Sequence, residues 1–285
     1  MQKIGFIDYY IDEWHANNYP RMIRESSFKD RFDVALAWDE GPQPDRKPLS
    51  DWCREQSVRQ AATLEQVVAE CDCIVVLSPD NTERHEALAD LPLRSGKPVY
   101  VDKPFAPTLA AARRLFKIAA EHKTPLMSCS ALRFGSALDK ALRQDLAGRK
   151  AHFVATRGGG AFPIYAIHQL EMLVMTMGTG ARRLKQCGGR HADLMVIDYG
   201  DGRRGVINLL SHHPFQLSAR YGDDKFLVIN EMDDFFTRFI DGMLTFFETG
   251  QPLAPEAETL EIVALIEAGN RALAIPDRWS KVPTV

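Results

Sequence analysis

The chain has 285 residues, 45% apolar and 26% charged, with a formal charge of −3 and five cysteines. About two globular domains fit that length, and the composition excludes wholesale disorder, a basic field on the scale of nucleic-acid binding, and a disulfide-stapled miniprotein. No apolar run approaches the ~20 residues of a bilayer span, and the N-terminus lacks the long apolar core of a secretory leader, so a cytoplasmic location is expected.

In chain order, Ile4–Ile7, Asp33–Trp38, Cys73–Leu77 and Pro98–Val101 are short apolar runs. Helical patterns over Thr63–Glu70 and Thr82–Leu91 separate the later ones, and a third, Thr108–Glu121, follows the last. Apolar strands alternating with amphipathic helices predict an α/β domain, a Rossmann-type doubly wound parallel sheet over residues 1–127. Asn18 is the expected N-cap of the first helix, with Pro20 in its first turn, which leaves a loop from Asp8 to Asn17. After about Pro125 the rhythm changes. A helix over Ser136–Leu146 precedes a strand over Lys150–Thr156, and two hairpins follow: Asp193–Tyr199 with Arg204–Leu210, and Phe215–Tyr221 with Lys225–Ile229. Helices over Met232–Thr249 and Ala257–Leu273 close the chain. Residues 128–285 are therefore expected to form an α+β domain with a mainly antiparallel open sheet.

An open parallel sheet binds ligands beyond the carboxyl ends of its strands, at the point where strand order reverses. A dinucleotide seat there normally carries G-x-G-x-x-G, whose glycines allow a tight turn and close approach to pyrophosphate. Here the residues are Asp8, Tyr9, Tyr10, Ile11, Asp12 and Glu13. Each carboxylate held ~4 Å from a phosphate charge would cost about 1–4 kcal/mol at a surface-like dielectric. Asp39 ends the second strand, where an acid accepts a ribose hydroxyl; with Glu40 it would repel a 2′-phosphate and favour NAD over NADP. The same Asp39 also suits a turn toward Gly41.

Three segments in order carry a resemblance: Pro79-Asp80-Asn81-Thr82-Glu83-Arg84-His85, then Ser95-Gly96-Lys97-Pro98 through Asp102-Lys103-Pro104, then Gly158-Gly159-Gly160 with Ile167-His168-Gln169-Leu170-Glu171. This set resembles the Gfo/Idh/MocA family, the relatives of glucose–fructose oxidoreductase and inositol dehydrogenase. It runs over nearly the whole chain, including Phe239-x-x-Gly242 and Gly250 near the end. The resemblance implies an NAD(P)-dependent oxidoreductase that acts by hydride transfer on a sugar, polyol or related hydroxy compound, and a homodimer or homotetramer joined through the open sheet. It places Lys103 and His168 as catalytic groups. Asp8, Tyr9, Asp39, Ser78, Pro79, Asn81, His85, Asp102 and Lys103 would line the cofactor, and Lys103, Arg157, Tyr165 and His168 the substrate. A lysine at a strand end and an imidazole of near-neutral pKa suit proton transfer at a hydroxyl. The family's Asp four residues before the His is Ile164 here, and Tyr165 and Glu171 are the helical neighbours that could stand in. The alternative is a redox-inactive member without cofactor that binds or responds to a small molecule.

Other candidates carry less. His212 and His213, adjacent in an expected strand, would face opposite ways, and no metal site is expected. Cys129 and Cys187 suit small buried apolar positions. Trp14, His15 and Tyr19 would either stack on a ligand or plug the phosphate seat, and Arg133 is a possible anion contact.

Overall fold

The computed structural model describes residues 1–41, 43–189 and 193–285. The chain forms two compact units. The first comprises Met1–Ala106, Ala110–Ser128 and Ile240–Ala254, and the second Pro107–Leu109, Cys129–Phe239 and Pro255–Val285.

The elements up to residue 128 are β1 (Gln2–Asp8), α1 (Trp14–Glu25), β2 (Phe32–Asp39), α2 (Leu49–Gln56), β3 (Arg59–Gln60), α3 (Leu64–Glu70), β4 (Cys73–Val76), α4 (His85–Leu93), β5 (Val99–Val101), α5 (Leu109–Glu121) and β6 (Leu126–Met127). The six strands make one parallel sheet in the order β3-β2-β1-β4-β5-β6, the doubly wound Rossmann arrangement. Its central strands are apolar throughout because both faces are covered: Ile4, Phe6, Ile7, Ile74, Val75 and Val76 are fully buried. Gly5 lies inside β1 for a packing reason. A Cβ there would stand 2.3 Å from Val67 Cγ1, so only glycine lets α3 lie this close.

Helix α1 starts at Trp14, four residues before the expected Asn18, and Pro20 lies within it. Glu13 provides the cap, and the buried face of His15, Ala16, Tyr19 and Ile23 outweighs the donor that Pro20 lacks.

The later elements are α6 (Ser136–Lys140), β7 (Ala151–Gly158), α7 (Phe162–Met177), β8 (Arg183–Gln186), β9 (Asp193–Asp198), β10 (Arg204–Leu209), β11 (Gln216–Tyr221), β12 (Lys225–Ile229), α8 (Phe235–Thr249), α9 (Glu256–Leu273) and β13 (Ser280–Lys281). The helix expected over Ser136–Leu146 is broken, with a π-helical turn over Ala141–Leu146. The second sheet runs β12-β11-β7-β10-β9-β8-β13, antiparallel except for the β7–β10 pair. Helix α7 lies between this sheet and α9, and the Phe162 ring seats over Gly269, where a Cβ would come within 2.0 Å of it. Phe153, Phe226 and Val228 remain exposed. His212 and His213 lie in the turn after β10 rather than in a strand. Among the described residues no helix is long and apolar enough to cross a membrane.

Candidate functional site

In the first unit, β1 and β2 end side by side, Asp8 in register with Asp39. The turn from Asp8 to Glu13 has no glycine, and side-chain oxygens hold its backbone. Asp8 Oδ1 accepts the Tyr9 N–H at 2.7 Å. Asp39 Oδ2 accepts the Ile11 N–H at 3.0 Å, and the same carboxylate takes the Gly41 N–H. Asp12 accepts the Lys47 N–H at 2.9 Å and the Asn17 amide at 3.0 Å. Asp39, expected on a ribose hydroxyl, therefore ties two turns together.

Glu13 folds its carboxylate over the start of α1. Its Oε2 accepts the His15 N–H at 2.7 Å, and its Oε1 accepts the Ala16 N–H. These are two of the donors that a helix N-terminus leaves unpaired, and that a dinucleotide-binding fold offers to phosphate. The seat is already filled, and a side chain fills it. The aromatic residues of the turn do not plug it. Tyr9 lies under the Arg84 guanidinium at 4.8 Å and Tyr10 under that of Arg46 at 5.1 Å, while Trp14 is 49% exposed. His15 and Tyr19 are buried and stack on each other at 5.0 Å.

The carboxyl groups here separate by environment. Burial, and then the Glu13 charge, raise Asp8 well above the usual carboxylate range, and its Oδ2 has no partner among the described residues. Glu13 is pushed up to about 7, chiefly by burial, with the Asp102 charge adding to it and His15 opposing. Burial would also raise Asp102, but His15 beside it, through charge and a hydrogen bond from Nδ1, together with Lys103, holds it at about 2. Asp102 is thus the lasting negative charge of the cluster, while burial and the Glu13 charge shift Asp8 toward its protonated form.

Asp102 and Lys103 follow β5, at its carboxyl end. The Lys103 N–H donates to Asp102 Oδ1 at 2.8 Å, the Lys103–Pro104 peptide is cis, and Lys103 is only 8% exposed. Ser78 and Pro79 follow β4. The Ser78 hydroxyl donates to the Asn81 carbonyl at 3.3 Å, and Asn81 Nδ2 donates to Glu83 at 3.2 Å. His85 does not reach a ligand position. It is fully buried, with Nδ1 at 2.9 Å from the Phe105 carbonyl and Nε2 at 3.1 Å from that of Ser78; burial lowers its pKa, so it joins the two loops as a neutral ring. A groove of about 450 Å³ lined by Trp38, Glu40, Leu64, Ala87 and Leu91 opens near the end of β2.

In the second unit the three glycines after β7 admit two aromatic rings. A Cβ on Gly158 would stand 2.2 Å from the Phe215 ring, and one on Gly160 2.0 Å from the Tyr165 ring. Those rings flank His168, with centroids 5.4 Å and 5.7 Å from the imidazole. His168 Nδ1 is 2.7 Å from the hydroxyl oxygen of Ser130, a fully buried residue whose Oγ also accepts the Leu132 N–H at 3.2 Å. Ile164, four residues before His168, is 36% exposed.

Glu171 is not a partner of His168. Its carboxylate accepts the Ser130 N–H at 2.9 Å and Arg133 Nε at 2.6 Å, and Arg133 also reaches Glu258 at 2.5 Å. Arg133, considered above as an anion contact, is therefore buried in an ion network that steadies Ser130. Thr156 of β7 donates to Gln169 of α7 at 3.0 Å, so the next residue, Arg157, points to the opposite, open face of the sheet. The structure brings Tyr165 and His168 together and leaves Arg157 apart from them. Sequence reasoning missed Ser130, Phe215 and the cap formed by Glu13. Only the Gly158–Gly160 run signalled close packing, and its ring partners lie outside any local pattern.

Residues 14–129 match the model of the Gfo/Idh/MocA oxidoreductase family, described as an NAD-binding Rossmann fold; the match begins at Trp14, just past the glycine-free turn. No curated protein matches the chain by sequence. Among solved structures, scyllo-inositol dehydrogenase from Lactobacillus casei, with bound NAD(H) and scyllo-inositol, is similar with a TM-score of 0.81 at 12% identity, over 99% of each chain. Myo-inositol 2-dehydrogenase from Lactobacillus plantarum has a TM-score of 0.80 at 11% identity, again over 99% of each chain. GenD2 from gentamicin A biosynthesis, in complex with NAD, has a TM-score of 0.80 at 15% identity, covering 100% of this chain and 97% of its own. At such identities the likeness is one of fold.

Proposed function

We propose, for a chain whose residues 14–129 belong to the Gfo/Idh/MocA family of oxidoreductases and carry its NAD-binding Rossmann fold, an oxidoreductase acting on a sugar, polyol or related hydroxy compound. NAD, when bound, supplies the hydride acceptor or donor for a carbinol carbon. The observation that carries the reading is Lys103, a residue only 8% exposed beside the ionised Asp102, at the carboxyl end of β5 in a doubly wound sheet. Burying that much charge is expensive unless it is paired, and a site that moves protons is where such an arrangement is useful.

The residues fit a dinucleotide by the chemistry of their donors. The N–H groups of His15 and Ala16 already hold a carboxyl group, and burial raises Asp8 well above the usual carboxylate range, which weakens its repulsion of a phosphate. Asp102 with Lys103, and Ser78 with Pro79, would meet the nicotinamide half; Asp39, though tied to the Ile11 and Gly41 N–H groups, still sets a negative charge against a 2′-phosphate, whereas Glu40 is paired with Arg84. In the first unit the role we assign Lys103 is a hydrogen bond to a substrate hydroxyl; in the second, the role we assign the His168 imidazole, held by Ser130, Tyr165 and Phe215, is proton exchange.

A second reading, a redox-inactive binding protein, is favoured by Glu13 sitting where phosphate would. Calorimetric titration with NAD, NADH, NADP and NADPH separates the two. Micromolar binding with the non-phosphorylated pair preferred supports the oxidoreductase. If none of the four binds, even after removal of the Glu13 carboxylate, the binding-protein reading replaces it.

A further inference from the structure

We infer that Glu13 is an intramolecular stand-in for the dinucleotide's pyrophosphate, and that a dinucleotide enters only when this carboxylate leaves the N-terminus of α1. The inference rests on the dinucleotide reading above and adds a residue that sets affinity.

The geometry is that of a filled seat. Two oxygens on two successive helix donors, at 2.7 Å or closer, leave neither the His15 nor the Ala16 N–H for a phosphate. Glu13 is 5% exposed, so its carboxylate is covered rather than loosely laid across the helix end. A carboxylate and a phosphate oxygen compete for the same donors, and two anions held on one helix end repel each other.

A second observation points to an anion as the visitor. Asp8, at the end of β1 before the same turn, is 1% exposed, and its Oδ2 lacks a partner among the described residues. Burial, and then the charge of Glu13, raise that carboxyl well above the usual range, so the two carboxyl groups already act on each other at this turn. An unpaired buried polar oxygen beside a helix end whose own donors are satisfied internally is the arrangement expected of an anion seat closed by its own chain. The loop ties from Asp39 to Ile11 and from Asp12 to Lys47 and Asn17 need not break when the Glu13 side chain turns outward.

The test compares the 285-residue chain with Glu13→Ala and Glu13→Gln by calorimetry, using NAD, ADP-ribose and adenosine as probes. Glu13→Ala should bind NAD and ADP-ribose roughly tenfold more tightly than the unmodified chain, about 1.4 kcal/mol, a shift of the size of one helix cap. Glu13→Gln keeps an oxygen for one helix N–H but lacks the charge, so it should fall between the two. Adenosine, which has no phosphate, should bind all three equally. Circular dichroism on each variant confirms that α1 survives, and a gain of affinity cannot arise from unfolding. Equal NAD affinity in all three proteins, or an equal gain for adenosine, overturns the inference while leaving the oxidoreductase reading in place. Failure of every protein to bind NAD and ADP-ribose overturns the dinucleotide reading itself.

Discussion

The first turn of α1 and the first turns of α7 each depart by one charge from the pattern that the resemblance implies. At α1 the departure adds an anion: where the pattern has glycines, Glu13 lies on its own helix donors. At α7 it removes one: where the pattern has Asp, Ile164 faces outward, and the hydroxyl of Ser130 meets His168 instead. The two substitutions act differently. An added carboxylate can satisfy donors, so it closes a site without unfolding it. A missing carboxylate leaves an imidazole to be oriented, and a neutral hydroxyl from another segment supplies direction without charge.

The most severe way to break this comparison is to remove the groups that both regions serve. Lys103→Ala and His168→Ala should each lower turnover on a sugar or polyol substrate by ~10²–10⁴-fold, the usual range for a positioned acid–base group. Circular dichroism should show the fold intact. Unchanged turnover in either variant would remove that residue from the mechanism, and with it the meaning of the departures near it.

A smaller effect concerns the α1 end alone and needs no substrate. Glu13 is pushed from 4.5 to about 7 in the folded chain. A raised acid favours the folded state while protonated, so its contribution is present below the unfolded pKa and is lost as pH rises through the folded one. The unmodified protein should therefore lose stability between about pH 4.5 and 7, by roughly 3 kcal/mol at about 1.4 kcal/mol per pH unit. Glu13→Gln should flatten that slope in urea unfolding at pH 5 and pH 8. An unaltered slope would mean that Glu13 does not ionise in place, and that another carboxyl, Asp8 first, carries the pH dependence.

The same two regions show what could be read from the residues. The strands were legible because a parallel sheet covered on both faces demands unbroken apolar runs, as at Cys73–Val76. The antiparallel hairpins were legible from their glycine- and aspartate-rich turns, as was the position of Lys103 at a strand end. The start of α1 was not. Glutamate is a poor cap by preference, and Asn18 before Pro20 looked the better start; burial of Tyr19 and Ile23 decided otherwise. Nor was Ser130 legible, since it stands 38 residues before His168 and no periodicity links them. His85 and Arg133 misled for a common reason: both look like ligand contacts in sequence, yet carbonyls take up the ring of one and carboxylates the guanidinium of the other.

The finest test addresses the neutral partner. If Ser130 orients His168, Ser130→Ala removes one buried hydrogen bond, worth about 1 kcal/mol, and should lower kcat roughly fivefold with little change in KM. A merely structural serine would act through stability alone, so the ring itself is the proper readout. Nitrogen-15 spectra of the imidazole should report a fixed tautomer in the unmodified chain and a mixture in Ser130→Ala. Ser130→Thr keeps the hydroxyl and should restore the single tautomer. Placing the missing acid back with Ile164→Asp should raise the His168 pKa, since a carboxylate stabilises the imidazolium where a hydroxyl does not. A tautomer indifferent to Ser130 would show that the aromatic rings of Tyr165 and Phe215 suffice to hold the imidazole. The two helix ends would then differ in charge but not in how each positions its working group.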